Sequence, residues 1–179
     1  MEKPLVSICC LAFNQEKYIS ECLDGFLKQI TNFAFEVLIH DDASTDDTTK
    51  IIREYEKKYP DIIKPIYQSE NQYSKGVKVS STYNWSRVKG KYIAMCEGDD
   101  YWTDPLKLQK QVDLMEANPN LVACHHWQKM AIETEGVFVE VEAPIDGQGY
   151  FPQREATVKN IFGNQVRMKT RTVLFKNII

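Results

Sequence analysis

The sequence predicts an α/β domain, a three-layer sandwich in which a mostly parallel sheet is covered by helices on both faces. Two observations lead there. From residue 5 to about residue 124, short apolar runs alternate with longer amphipathic stretches, the pattern of strands buried on both sides and joined by crossover helices. Two of those runs also end in carboxylates. Phe35-Glu36-Val37-Leu38-Ile39-His40 leads into Asp41-Asp42, and Tyr92-Ile93-Ala94-Met95-Cys96 leads into Glu97-Gly98-Asp99-Asp100. A core has no use for crowded acids, whereas the crevice beyond the carboxyl ends of parallel strands is where open α/β sheets bind ligands.

The elements follow in order. Leu5-Val6-Ser7-Ile8-Cys9-Cys10-Leu11 reads as a first buried strand, broken by Ala12-Phe13-Asn14-Gln15 before a helix over about 17–28. The second strand ends at Asp41-Asp42. Ser44 or Thr45 then suits an N-cap, with Asp46 and Asp47 in a first turn where negative charge complements the helix dipole. Ile51, Ile52, Tyr55 and Tyr59 put an apolar stripe on that helix, and Pro60 closes it. Residues 62–67 suggest a third strand whose Pro65 belongs near an edge. Residues 69–78 are a polar loop, and 80–88 a short helix before the strand over 92–96. Asp104-Pro105 reads as N-cap and first helical residue of a helix carrying Leu108, Val112 and Met115 on one face, ended by Asn118-Pro119-Asn120. Leu121-Val122-Ala123-Cys124 is one more strand. Past it the pattern changes to a hairpin, 129–132 with 137–141, and a loop-rich tail from Gly147.

At 179 residues, 43% hydrophobic and 26% charged, the chain is about the size of one ordinary domain. A net charge of −3 gives no general attraction to nucleic acid or to an anionic membrane. The five cysteines show neither a CxxC pair nor zinc spacing and lie mostly in apolar runs, so reduced core thiols are expected. No apolar stretch is long enough to span a bilayer, and residues 1–4 open no signal peptide. A cytoplasmic segment is expected, working at the inner face of a membrane only through parts of the protein outside these residues.

Three acids within four residues repel one another unless a cation lies among them. Oxygen ligands without histidine or thiolate suit a hard divalent ion, Mg²⁺ or Mn²⁺, carrying a phosphate. A solvated acidic turn at a helix start is the bland alternative. In the loop Ser74-Lys75-Gly76-Val77-Lys78, Lys75 and Lys78 are either phosphate contacts or solvated side chains, with Gly76 letting the loop come close. Tyr101 and Trp102 offer a stacking face or roof the core. His125-His126 is either an accessory to the site or structural.

Taken in order, Val6-Ser7-Ile8, Phe13-Asn14, Asp41-Asp42-Ala43-Ser44-Thr45-Asp46-Asp47-Thr48, Gly90-Lys91-Tyr92-Ile93 and Gly98-Asp99-Asp100 closely resemble the family 2 glycosyltransferases of the GT-A fold. The resemblance covers roughly residues 4–127 and is loose over 128–179. It implies an inverting, nucleotide-sugar-dependent transferase of cell-surface polysaccharide synthesis, with residues 1–127 as the donor half and 128–179 as the start of an acceptor half. Leu11, Ala12 and Phe13 would pass along the base and ribose, and Asp42 would meet the base edge, a sensible reader of uracil. Asp41 would be structural. Asp100 would be the direct metal ligand and Asp99 would face the ribose or a metal-bound water. Glu97, where many relatives carry aspartate, would touch the ribose or support Asp99.

An inverting transferase also needs a general base for the acceptor hydroxyl. The segment that carries it in the family has no clear match here, and Thr172-Val173-Leu174-Phe175 is an odd place to finish, so a longer enzyme with its base beyond Ile179 is expected. The expected partners are a UDP-sugar and a saccharide or lipid-linked acceptor, with self-association into a homodimer left open. Two other readings are weaker. A nucleotidyltransferase would want a Gly- and Arg-rich phosphate loop near the N-terminus, and residues 9–18 contain neither. A receiver-like signalling module would want an acid after the first strand, which instead ends in Ala12-Phe13-Asn14.

Overall fold

The computed structural model describes residues 2–126, 128, 130–134, 137–141 and 170–177. Among these residues are eight strands: β1 (Val6–Ala12), β2 (Phe35–Asp41), β3 (Ile63–Tyr67), β4 (Tyr92–Glu97), β5 (Ala123–Cys124), β6 (Met130–Thr134), β7 (Val137–Val141) and β8 (Leu174–Lys176). Three α-helices join them: α1 (Ile19–Leu27), α2 (Thr48–Lys58) and α3 (Lys107–Ala117). Six strands form one sheet in the order β3-β2-β1-β4-β8-β5, and β6 pairs with β7 as a separate hairpin. β1 to β4 are mutually parallel; β8 runs antiparallel to both of its neighbours. The expected parallel α/β architecture is therefore what the chain adopts.

Side-chain chemistry explains the arrangement. β1 is buried along almost its whole length, as a central strand covered on both faces must be. Ile19, Cys22, Leu23 and Phe26 form the inner stripe of α1, and Leu108, Val112 and Met115 that of α3; both join the large cluster around Ile8, Val37, Ile39 and Tyr92. A smaller cluster, Cys9, Leu38 and Ile93 with Trp85 and Phe175, occupies the other face. All five cysteines are free and buried, as expected. Pro65 lies on the edge strand β3, where its missing N–H costs no ladder bond.

The helix starts differ from the sequence reading. α2 begins at Thr48, so neither Ser44 nor Thr45 caps it and Asp46 and Asp47 precede its first turn. Asp46 Oδ1 instead accepts from Thr48 N at 3.0 Å, while the Ser44 hydroxyl is drawn to Asp41 at 2.6 Å. α3 likewise begins two residues past Pro105: Asp104 Oδ1 accepts from Leu106 N at 2.9 Å, closing a turn ahead of the helix. The polar stretch 69–78 contains a 3-10 turn at Tyr73–Lys75, and the expected helix at 80–88 is one π-turn, Ser80–Asn84, followed by a 3-10 turn, Trp85–Arg87. The terminal apolar run is no stray end. As β8 it lies inside the sheet between β4 and β5.

A buried polar knot fastens the amino ends of β1, β2 and β4. Ser7 Oγ donates to Glu36 Oε1 at 2.7 Å and accepts from Gly90 N at 2.9 Å, and Lys89 N donates to Glu36 Oε1 at 3.1 Å. Gly90 is there because nothing larger fits: a Cβ at that position would stand 2.6 Å from Ser7 N and 2.8 Å from Val6 C, both backbone atoms of the central strand. Gly90→Ala should therefore push β4 off β1, costing about 2 kcal/mol and lowering Tm by about 4–8 °C. An unchanged melting temperature would show that the strand entry moves freely.

Candidate functional site

The strand order reverses around β1. β2 and β3 extend to one side of it and β4 to the other, so the loops leaving β1 and β4 open a crevice at their carboxyl ends. Register lines up the exits: Ala12 is opposite Asp41, and Leu11 is opposite both His40 and Glu97. Backbone bonds carry that alignment into the loops, Asp42 N to Ala12 O at 2.9 Å and Gly98 N to Leu11 O at 2.8 Å. Phe13, Asp42 and the pair Asp99-Asp100 thus share one rim.

Glu97, Asp99 and Asp100 each offer a carboxylate oxygen within 4.8 Å of the others; the first two are exposed and Asp100 is half-buried. Two like charges about 4 Å apart repel by about 1 kcal/mol even in bulk water and by more beside protein. A set of oxygen donors at this spacing fits a hard divalent cation, so the residues present suit Mg²⁺ or Mn²⁺. A protein cation reaches the same cluster. Arg171, in the 3-10 turn Thr170–Thr172 that leads into β8, places Nη1 on Asp100 Oδ1. Sequence reasoning missed it, because a contact across 71 residues leaves no local pattern.

The two acids after β2 divide their work. Asp41 is structural: Oδ1 accepts from Ser44 N at 3.1 Å and from Ser44 Oγ, and Oδ2 takes the Thr49 hydroxyl. Asp42 is only 4% exposed. Its Oδ1 accepts from Gln72 N at 2.8 Å and faces His40 Nε2 at 3.2 Å, and its Oδ2 accepts from Tyr73 N at 2.9 Å. Burial alone would raise its pKa. The amides of Tyr73 and Gln72, together with His40, outweigh that and hold the carboxyl below the usual range, so it stays an anion. Of about four acceptor positions on a carboxylate, three are taken, which leaves one beside the rim. His40 is fully buried, and burial pushes its pKa below the ordinary imidazole value in spite of Asp42, so it is neutral near pH 7.

The loop after β1 is held in shape by the loop after β2. Asn14 N donates to Ser44 Oγ at 3.0 Å, Gln15 N to Thr48 Oγ1 at 2.7 Å and Glu16 N to Asp46 Oδ2 at 3.0 Å, while Thr45 N and Asp47 N donate back to Asn14 Oδ1 and Glu16 Oε2. Asn14 and Ala43 adopt positive φ, 52° and 64°, which this interlocking enforces. Ser44 and Asp46, expected to serve a helix start, in fact join Thr48 in fixing the path of the chain past Phe13.

A fold of this kind with acids on its rim serves several chemistries. The comparison that decides among them is a protein-family match: residues 7–166 fit the model of "Glycosyl transferase family 2". The chain belongs to that family. A relative in Mycobacterium tuberculosis, itself uncharacterized, is 49% identical over 121 residues, 68% of this chain and 34% of the relative. TuaG of Bacillus subtilis, named as a teichuronic acid biosynthesis glycosyltransferase, is 35% identical over 113 residues, 63% of this chain and 42% of TuaG. The chain thus spans less than half the length of these relatives. Among solved structures, S. aureus TarS 1-349 in complex with UDP superposes with a TM-score of 0.52 at 26% identity, covering 66% of this chain and 33% of TarS. The Pyrobaculum calidifontis mannosyltransferase in complex with GDP-Man and Mn²⁺ gives 0.58 at 23% identity over 69% of this chain and 35% of that one, which speaks for the fold alone. The GT-A fold of family 2 is thereby established.

Around this rim the remaining expectations separate. Trp102 is 7% exposed, packs edge-on against Phe26 at 4.7 Å and donates Nε1 to Arg171 O at 3.1 Å, so it roofs the core instead of offering a sugar a stacking face. Tyr101 beside it is exposed. Lys75 is exposed and pairs with Glu70; Lys78 is exposed, and its carbonyl accepts from Thr82 N at 3.0 Å. Gly76 ends the 3-10 turn at a φ of 77°, which explains that glycine by backbone conformation. Exposed Tyr73, held by its amide to Asp42, is a rim aromatic that the sequence reading passed over. His125 and His126 follow β5 half-buried, and Trp127 lies outside the described residues.

Proposed function

We propose that this chain is the donor-binding part of an inverting family-2 glycosyltransferase that moves a sugar from a UDP-sugar to a saccharide or lipid-linked acceptor during cell-surface polysaccharide synthesis. The observation that carries the reading is the meeting of Phe13, Asp42 and the Glu97, Asp99 and Asp100 cluster on one rim at the point where the strand order reverses. The bound UDP of TarS and the name of TuaG support the choice of nucleotide and pathway class.

Each residue has a task in this reading. Leu11, Ala12 and Phe13 line the base and ribose, and the free acceptor position of Asp42 meets the imide N–H of uracil. Asp100, with Asp99, holds Mg²⁺ or Mn²⁺, and Glu97 supports Asp99 or the ribose. When bound, the cation supplies charge neutralisation at the diphosphate as nucleotide departs. Lys75 reaches the diphosphate only if its pair with Glu70 opens, and that pair is exposed and weak; exposed Lys78 approaches it directly. The acceptor's proton goes to a general base outside the residues named here.

Calorimetric titration with UDP, GDP, dTDP and CDP, each with and without Mn²⁺, tests the donor site. UDP with Mn²⁺ should bind tightest, at least about tenfold tighter than UDP alone, since a lone diphosphate would face three carboxylates with only Arg171 among them. Absence of binding in every combination would refute the reading.

A further inference from the structure

We infer that Arg171 is a second cation of this site, one that occupies Asp100 until a divalent ion takes that carboxylate and then turns to the diphosphate of the nucleotide. The inference rests on the donor-site reading above and adds a residue and a coupling to it.

The geometry is specific. The backbone of Arg171 is pinned on its carboxyl side: Trp102 Nε1 donates to its carbonyl at 3.1 Å, and Gln111 Nε2 donates to the carbonyl of fully buried Thr172 at 3.0 Å, shortly before β8 enters the sheet. The side chain is not pinned in the same way. It is 38% exposed against 12% for its partner Asp100, and its Nε is buried without a hydrogen-bond partner. A guanidinium presents five donors in a planar fork that matches two oxygens of a carboxylate or a phosphate. Among the described residues the fork places one donor on Asp100 and leaves the buried Nε unpaired.

Asp100 is also the acid argued to hold the cation. A carboxylate oxygen paired with arginine is a poorer ligand for Mn²⁺, so metal and guanidinium compete for it. Since Nη1 reaches Asp100, the freed guanidinium is within one ligand length of whatever Asp100 binds, and the group nearest that ion in the donor complex is the diphosphate. An arginine fork then gains charge-assisted bonds to phosphate oxygens in place of one carboxylate contact. Metal and nucleotide become coupled in both directions, as linkage requires. Each makes the arrangement the other needs.

The test uses Arg171→Gln and Arg171→Lys, with Mn²⁺ binding read by electron paramagnetic resonance and UDP binding by calorimetry. Substitution leaves the Arg171 carbonyl that Trp102 uses, and thermal melts of the ligand-free variants confirm folding. In R171Q, Mn²⁺ alone should bind about fivefold tighter, the worth of a partly exposed ion pair. UDP at saturating Mn²⁺ should bind about tenfold weaker or more, the loss of charge-assisted bonds. R171K keeps a cation that competes for Asp100 but loses the fork, so it should restore the parental Mn²⁺ affinity and recover UDP binding only in part. Unchanged or weaker Mn²⁺ binding in R171Q overturns the competition, and unchanged UDP binding at saturating Mn²⁺ overturns the diphosphate contact. If the parent binds neither Mn²⁺ nor UDP, the donor-site reading itself falls and this inference falls with it.

Discussion

Asp100→Asn is expected to remove most of the thermal stabilisation that UDP with Mn²⁺ confers, while leaving the ligand-free protein nearly as stable as the parent. At about 100 times its dissociation constant, a ligand that binds only the folded state contributes about 2.7 kcal/mol, or about 5–10 °C in Tm for a chain of this size. The ligand-free balance is close to zero for a physical reason. Losing one of three crowded charges relieves repulsion, but it also ends the pair with Arg171, and a partly exposed pair of this kind is worth about 0–1 kcal/mol. Asparagine keeps the shape and one oxygen, but as a neutral ligand it attracts a divalent ion far less. Melts of both proteins with UDP alone, Mn²⁺ alone and the two together separate the cases. A combined shift as large in the variant as in the parent would take Asp100 out of the cation site.

The acids of this site were readable because they are local. Strand period, a break and a carboxylate pair fall within about ten residues in both the 35–42 and the 92–100 segments, and parallel pairing in register then has to bring both exits to the same rim. What stayed hidden depends on distant contacts. Trp102 follows the acids directly and looks like a site aromatic, yet its direction is set by Phe26 on α1, Lys107 on α3 and the Arg171 carbonyl. Helix starts were misplaced because Ser44 and Asp46 had rival partners, Asp41 on one side and the Glu16 amide on the other, which a cap signature cannot weigh. β8 carries an ordinary apolar pattern. Its place between β4 and β5 comes from non-local pairing, which no sequence window contains.

Lys107 gives the largest expected effect on stability, and it acts through pH. It opens α3 with its side chain in the core: Nζ has no hydrogen-bond partner and lies 3.5 Å from the centroid of the Trp102 ring. Burial pushes the amine from its ordinary 10.5 down to about 7, with the Cys96 and Cys124 thiols acting weakly the other way. Above pH 7 the folded protein therefore holds a neutral amine while the unfolded chain keeps it protonated, so folding releases a proton and stability rises with pH. The gain is absent below pH 7, where both states carry the charge. At about 1.4 kcal/mol for each pH unit, the rise between pH 7 and 8.5 has an upper bound of about 2 kcal/mol, reduced by the Trp102 face, which favours the cation. That window lies below the range where the raised thiols of Cys9 and Cys124 begin to oppose the trend. Lys107→Met keeps an unbranched side chain of similar length against the indole and removes the charge. The variant should be more stable than the parent at pH 7, by about 1–3 kcal/mol, and should lose the rise between pH 7 and 8.5. Urea denaturation of both proteins at the two pH values measures this, and parallel slopes would show that the amine keeps its proton in the folded protein throughout that window.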